Sequence, residues 1–185
     1  IAFFPLAISN DPNELSRLAP GLIWICILLA VMLSIQTIFK EDYDDGSLDL
    51  FYVRRFSMLQ VVLIKIFVNW IFTALPLILL SCSMVFLLYF PLEKLLNLIG
   101  SLFIGTLIIS FFGALAGALS LGRNSILASA IMLPLSLPVL ILGSSASTYS
   151  SENITFFILL LLALLFFSVP IISIACIGAI RLHYE

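Results

Sequence analysis

The sequence predicts an all-α protein, a polytopic bundle of hydrophobic helices that crosses a lipid bilayer. Three observations predict it. Hydrophobic residues make up 63% and charged residues 10% of the 185 positions, with a mean hydropathy of +1.27, which is more apolar surface than a soluble domain of this size can cover with polar groups. Apolar runs of roughly 18 to 25 residues recur, each about the length of helix that crosses a hydrocarbon core of ~30 Å. The few charges collect between those runs. The formal net charge is only −2 and the pI about 5.3, so nothing in the balance of charge suggests a nucleic-acid partner.

Residues 1–9 read as the last turns of a helix already under way, so an N-terminal piece is expected to precede them. No basic region leads this opening and no small-residue cleavage site follows it, which argues against a secretory signal. Residues 10–17, with Asp11, Pro12 and Glu14, read as a polar loop carrying a helix cap. Residues 18–39 form the first complete span, with Trp24 near its start, where an indole suits the membrane interface. Residues 40–57 are the longest polar segment.

The apolar stretch 58–90 is too long for one straight crossing. Its first turns, with Gln60, Lys65 and Asn69, are expected at the interface or against the protein interior, and Pro76 is a candidate bend. Residues 91–97 make a short loop, and 98–121 is the next span. Its small residues Gly105, Gly113, Ala114, Ala116, Gly117 and Ala118 allow close backbone approach, and Gly113-x-x-x-Gly117 suits packing against neighbouring helices. A dimer contact through the same pair is the less favoured reading. Residues 122–125 form a tight turn with Arg123, and 126–143 cross back. Pro134 and Pro138 there leave carbonyls that neighbours or water must satisfy, so this helix is either a moving part or merely bent. A Ser-rich loop (144–153), a last span (154–180) and a short tail (181–185) complete the chain, read as a single transmembrane domain over 1–185. If the spans alternate, Lys40, Arg54, Arg55, Lys65, Arg123 and Arg181 fall on one side, and Arg17 and Lys94 on the other. Basic residues resist translocation, so the first side is expected to be cytoplasmic. With the missing start of the first helix restored, the count becomes six spans with both termini inside.

The most informative segment follows the first complete span. Glu41, Asp42, Asp44 and Asp45 form an acidic cluster, Gly46 permits a sharp turn, and Leu48, Phe51, Tyr52 and Phe56 alternate with charges that include Arg54 and Arg55. Such a segment can lie along the membrane surface and dock a soluble partner, its apolar side chains filling a groove while its charges set the register. A solvated loop whose charges merely keep it out of lipid is the plainer alternative.

Glu41-Asp42-x-x-Asp45-Gly46-Ser47-Leu48 after a membrane exit resembles the cytoplasmic coupling segment of type-2 ABC exporter permeases. Together with Lys65-x-x-x-Asn69-Trp70, Leu75-Pro76-Leu77, Leu18-Ala19-Pro20-Gly21-Leu22-Ile23-Trp24 and the run from Leu133-Pro134 through Pro138 to Gly143, it resembles the haem exporter protein B (CcmB) family. The order and spacing of these motifs, from about residue 3 to residue 180, carry the resemblance. Segment 49–57 departs from the family, with Phe51, Tyr52 and the Arg54-Arg55 pair in place of a milder Leu-, Ser- and Pro-rich stretch.

The resemblance implies a permease subunit without catalytic activity. ATP would be hydrolysed by a separate CcmA-like subunit, with CcmC-like and CcmD-like membrane proteins as further partners. The ATP cycle would release a haem-loaded CcmE-like chaperone for cytochrome c biogenesis. Haem is then a possible cargo, and no cofactor is expected on the chain itself. The bacterial cytoplasmic membrane is the expected location. The mitochondrial inner membrane is the alternative, favoured only by a Phe and Ile bias, with the C-terminus on the cytoplasmic or matrix side. The ATPase-coupling residues would be Glu41, Asp42, Asp45, Gly46, Ser47, Leu48, Phe51, Arg54 and Arg55. Pro76, Gly113, Gly117, Pro134 and Pro138 are candidates for bending or packing.

The chain itself has no GxxxxGK[ST] loop to cradle a nucleotide. It shows no Ser-His-Asp set or metal-ligand cluster, and Cys26, Cys82 and Cys176 form no short-spaced motif. His183, the only histidine, reads as a solvated tail residue rather than a haem ligand, and Lys65 as snorkelling to lipid headgroups rather than contacting substrate. Two rival classes stand beside the haem reading: a generic type-2 ABC permease for another lipophilic substrate, and a non-transporting membrane anchor for an ATPase.

Overall fold

A computed structural model describes residues 11–35, 38–47, 57–121, 125–148 and 151–181, and every secondary-structure element among them is helical. The long helices are α1 (Pro12–Ile35), α3 (Met58–Leu87), α4 (Leu95–Leu119), α5 (Ser125–Thr148) and α6 (Ser151–Arg181). A short α2 (Lys40–Asp44) lies between α1 and α3, and a 3-10 turn (Leu92–Lys94) leads into α4. Five of these helices are long and apolar enough to cross a membrane. Residues 1–9 and the tail 182–185 lie outside the described residues.

Helix α4 is the axis of the bundle and touches each of α1, α3, α5 and α6. Of its apolar stretch 61% is buried, against 22–28% for α3, α5 and α6. Small residues make that possible: Gly105, Gly113, Ala114, Ala116, Gly117 and Ala118 are all buried, so four helices pack against one backbone. Gly113 and Gly117 thus lie inside the bundle, and a second copy's helix cannot use them without displacing the chain's own.

Several boundaries differ from the sequence reading. Residues 12–17 are helical rather than loop, because Asp11 caps the helix through Asn13 N–H to Asp11 Oδ1 at 3.0 Å and Pro12 occupies the first helical position. The expected loop at 144–153 is helical up to Thr148 and again from Ser151. Ser144, Ser147 and Thr148 donate to Ile141 O, Gly143 O and Ser144 O at 3.2, 2.9 and 2.8 Å, so the hydroxyls bind their own helix instead of breaking it. Stretch 58–90, expected to need more than one straight crossing, yields one uninterrupted helix, α3. Its 30 residues make a rod of about 45 Å, the thickness of hydrocarbon plus both headgroup layers. Pro76, Pro134 and Pro138 sit inside continuous helices on exposed faces, as does Pro170.

Trp24 is the clearest correction. It is fully buried rather than interfacial, wedged between α4 and α5. A methyl group added at Gly105 would lie 2.9 Å from Trp24 Cζ3 and nearer still to Cη2, and one added at Gly143 would lie 2.5 Å from Cε2 and nearer to Cζ2 and Cη2. Both glycines are therefore notches cut for one indole, whose Nε1 is buried without an acceptor among the described residues. The other tryptophan, Trp70 on α3, donates from Nε1 to Thr106 Oγ1 on α4 at 3.0 Å and stands edge-on to Phe103.

The α3–α4 connection shows a strained cap. Tyr89 has φ of 52°, and Phe90 N–H reaches back to Val85 O at 3.0 Å, a Schellman-type ending whose left-handed position favours glycine. Tyr89→Gly is therefore expected to stabilise the chain by about 1 kcal/mol. A thermal midpoint measured in detergent should rise, and an unchanged or lower midpoint would contradict this account of the turn.

Candidate coupling site

The acidic segment is fastened to the end of the bundle by its apolar residues. Phe39, 1% exposed, packs with Val62 and Ile66 of α3, Phe111, Ala114 and Ala118 of α4, and Ile172, Cys176 and Ala179 of α6, and Tyr43 lies against the same cluster. One face of α2 is thus held where three membrane helices meet. The opposite face carries Lys40, Glu41, Asp44 and Asp45, all exposed. Gly46 ends the turn with φ of 73°, and its N–H donates to Tyr43 O at 3.3 Å. A side chain at this left-handed position would cost about 1 kcal/mol.

Asp42 points the other way, toward the bundle, and forms an ion pair with Lys65 of α3. Lys65 Nζ also donates to Ile38 O at 3.2 Å. Its ammonium thus ties the elbow to α3. One turn along α3, Asn69 Oδ1 accepts from Ser34 Oγ of α1 at 3.2 Å, and a turn further Thr73 Oγ1 lies 2.8 Å from the same hydroxyl. Lys65, Asn69 and Thr73 follow the i, i+4, i+8 spacing of one helix face. They make a polar ladder along the α1–α3 seam, beginning at the elbow. Ser34 and Thr73 were not among the residues singled out from sequence. The i+8 step from Lys65 was the available signal for Thr73, whereas nothing local marks Ser34.

Of the remaining expected coupling residues, Ser47 is half-buried, and Leu48, Phe51, Arg54 and Arg55 lie outside the described residues, as do Arg123 and His183. At the other end of the bundle Arg17 and Lys94 line a common hollow with Asn13, Ser16 and Pro20, and Lys94 Nζ donates to Thr148 O at 2.5 Å. The charges thus sort to two opposite ends. Among the described residues no three His, Cys, Asp or Glu side chains gather as a metal site, and the cysteines are free. A hollow along the outer face of α6, between Leu159 and Pro170, is lined by apolar residues alone and carries no reactive group.

The carboxylates of Glu41, Asp44 and Asp45 are exposed on one side of the elbow, and Asp42 on the other is paired with α3. A family model described as CcmB protein matches residues 1–183. The chain belongs to the CcmB family. It is 38% identical over 156 residues to "Heme exporter protein B" of Pseudomonas aeruginosa, covering 83% of this chain and 70% of that protein. With the protein of the same name from Haemophilus influenzae it shares 37% identity over 158 residues, covering 84% and 72%. For the Escherichia coli protein the figures are 33% over 156 residues, 83% and 71%. Membership fixes the all-α membrane architecture that the composition predicted.

Proposed function

We propose that this CcmB-family chain is the membrane subunit of an ABC-type complex for haem export or delivery in cytochrome c biogenesis. The similarity to proteins named heme exporter protein B, over most of the chain, is the observation that carries this reading. Energy comes from a separate CcmA-like ATPase, since these 185 residues contain no phosphate-cradling loop. CcmC-like and CcmD-like membrane proteins and a CcmE-like chaperone complete the assembly. The elbow end is cytoplasmic, the side to which alternation of the spans assigns six of the eight Lys and Arg residues. The location is a bacterial cytoplasmic membrane, in keeping with the bacterial relatives.

In this mechanism the outward carboxylates Asp44 and Asp45 engage the ATPase. Its nucleotide cycle shifts α2, and the Asp42–Lys65 pair passes the displacement to α3. Two states of the bundle are required, differing in how α3 and α5 lie against the small-residue surface of α4. Release of the haem-loaded chaperone on the far side is the output.

A non-transporting anchor and coupler is the second reading, and the buried polar groups favour it. The hydroxyls of Ser81, Ser110, Ser136, Ser168 and Ser173 each donate to a carbonyl of their own helix, which leaves them poorly suited to line a polar conduit.

Depletion followed by haem staining tests the function. Loss of c-type cytochromes with b-type cytochromes unchanged is expected, and complementation by an Asp44→Lys/Asp45→Lys variant should restore less than about a tenth of the staining, as for loss of key interfacial charge pairs. Full restoration by that variant would refute the role given to the elbow. Unchanged c-type cytochromes on depletion would refute the function itself.

A further inference from the structure

A cleft of about 470 Å³ opens between α2 and the outer face of α3, lined by Ile38, Glu41, Ile64, Lys65, Val68 and Asn69 together with Phe72. We infer that it binds one phospholipid with a primary-amine headgroup, of the phosphatidylethanolamine class, the ammonium on Glu41 and the phosphate on Lys65. This rests on the chain being embedded in a bilayer and not on the haem reading.

Depth places the cleft correctly. Lys65 lies seven residues into α3, about 10 Å from the end of a helix as long as hydrocarbon plus both headgroup layers, where phosphates meet acyl chains. Asn69 is one turn deeper. The wall beyond them is apolar and open to the bilayer: Ile64, Val68 and Phe72 are exposed along the same face of α3. A soluble ligand would gain nothing from that wall, whereas an acyl chain covers it.

Unfilled hydrogen-bonding capacity sets the headgroup. Lys65 has three N–H donors, of which Asp42 and Ile38 O account for two. The third N–H of Lys65 asks for an acceptor oxygen, which a phosphate supplies. Glu41, by contrast, has no cationic partner among the described residues and asks for a donor. A primary ammonium one ethylene unit from the phosphate satisfies both requirements at once. An anionic headgroup brings acceptors but no cation, and it would sit beside the carboxylates of Glu41 and Asp42. A choline headgroup carries the positive charge without an N–H to donate.

The test uses the full chain in its complex, purified in mild detergent, with native mass spectrometry to count bound lipid. Phosphatidylethanolamine, its N-methyl and N,N-dimethyl derivatives, phosphatidylcholine and phosphatidylglycerol are offered with identical acyl chains. Binding is expected to fall along the methylation series by about tenfold in total, the worth of one charge-assisted hydrogen bond. Phosphatidylglycerol should bind no better than phosphatidylcholine. Glu41→Gln should flatten the series, and Lys65→Met should weaken all phospholipids alike. Equal binding across the series, or a preference for phosphatidylglycerol, overturns the proposal. The wild-type series decides the matter even where a variant fails to fold. Unchanged c-type cytochromes on depletion, with the lipid series as expected, would count against the function alone, and equal lipid binding across the series, with c-type cytochromes lost on depletion, against this site alone.

Discussion

Gly143→Leu is expected to abolish accumulation of folded chain, and Gly143→Ala to lower its stability by roughly 2 kcal/mol, within the usual cost of overpacking a dense core. The Trp24 ring already occupies the space where a Cβ at Gly143 would stand, and Gly105 backs the same ring, so the indole cannot retreat toward α4. Shortening the ring should relieve the clash. Trp24→Phe combined with Gly143→Ala is expected to recover most of the lost stability, whereas two independent defects would add. Thermal midpoints of the four proteins (wild type, the two single variants and the double variant) in detergent provide the cycle. Additive losses would show that the α1–α4–α5 junction is not built around this tryptophan.

Lys65→Asp is expected to reduce c-type cytochromes at least tenfold. It sets a carboxylate against Asp42, where two like charges ~4 Å apart repel by about 4 kcal/mol at an effective dielectric of ~20. The elbow loses its tie to α3 while Phe39 still anchors it to the bundle, so the protein should fold and remain in the membrane. The exchanged pair, Asp42→Lys with Lys65→Asp, should restore cytochromes substantially, because the tie depends on opposite charge rather than on which side holds it. Failure of the exchange, with protein levels normal, would mean that Lys65 acts by something other than this pair. Haem staining and immunoblotting on the same membranes read both outcomes.

How much of this was legible in the sequence follows from what local chemistry records. Composition and run length gave the spans of an all-α membrane protein, because crossing a bilayer imposes a length and an apolarity that hydropathy sees directly. Helix ends were misplaced where polarity and helicity part company. Asn13–Arg17 remains helical through the Asp11 cap, and Ser144–Thr148 through hydroxyls bonded to their own carbonyls. Trp24 was misread for a different reason: its partners Gly105 and Gly143 are distant in sequence, and an indole at a notch looks like an indole at an interface until the chain is folded. The acidic elbow was visible as charge beside a glycine. Its division into an inward Asp42 and outward Asp44 and Asp45 was not, because that division is set by Lys65 on the next helix.

In the proposed mechanism α2 takes up force from a separate ATPase on the cytoplasmic side. Replacing Cys26, Cys82 and Cys176, placing a single cysteine at exposed Asp45 and adding a short bifunctional thiol cross-linker to inverted membrane vesicles tests it most directly. A cross-link to the nucleotide-hydrolysing subunit is expected to form in inverted vesicles and to change in yield when ATP is added. Labelling of that cysteine only from the outer face, or a cross-link to no ATPase, would contradict it.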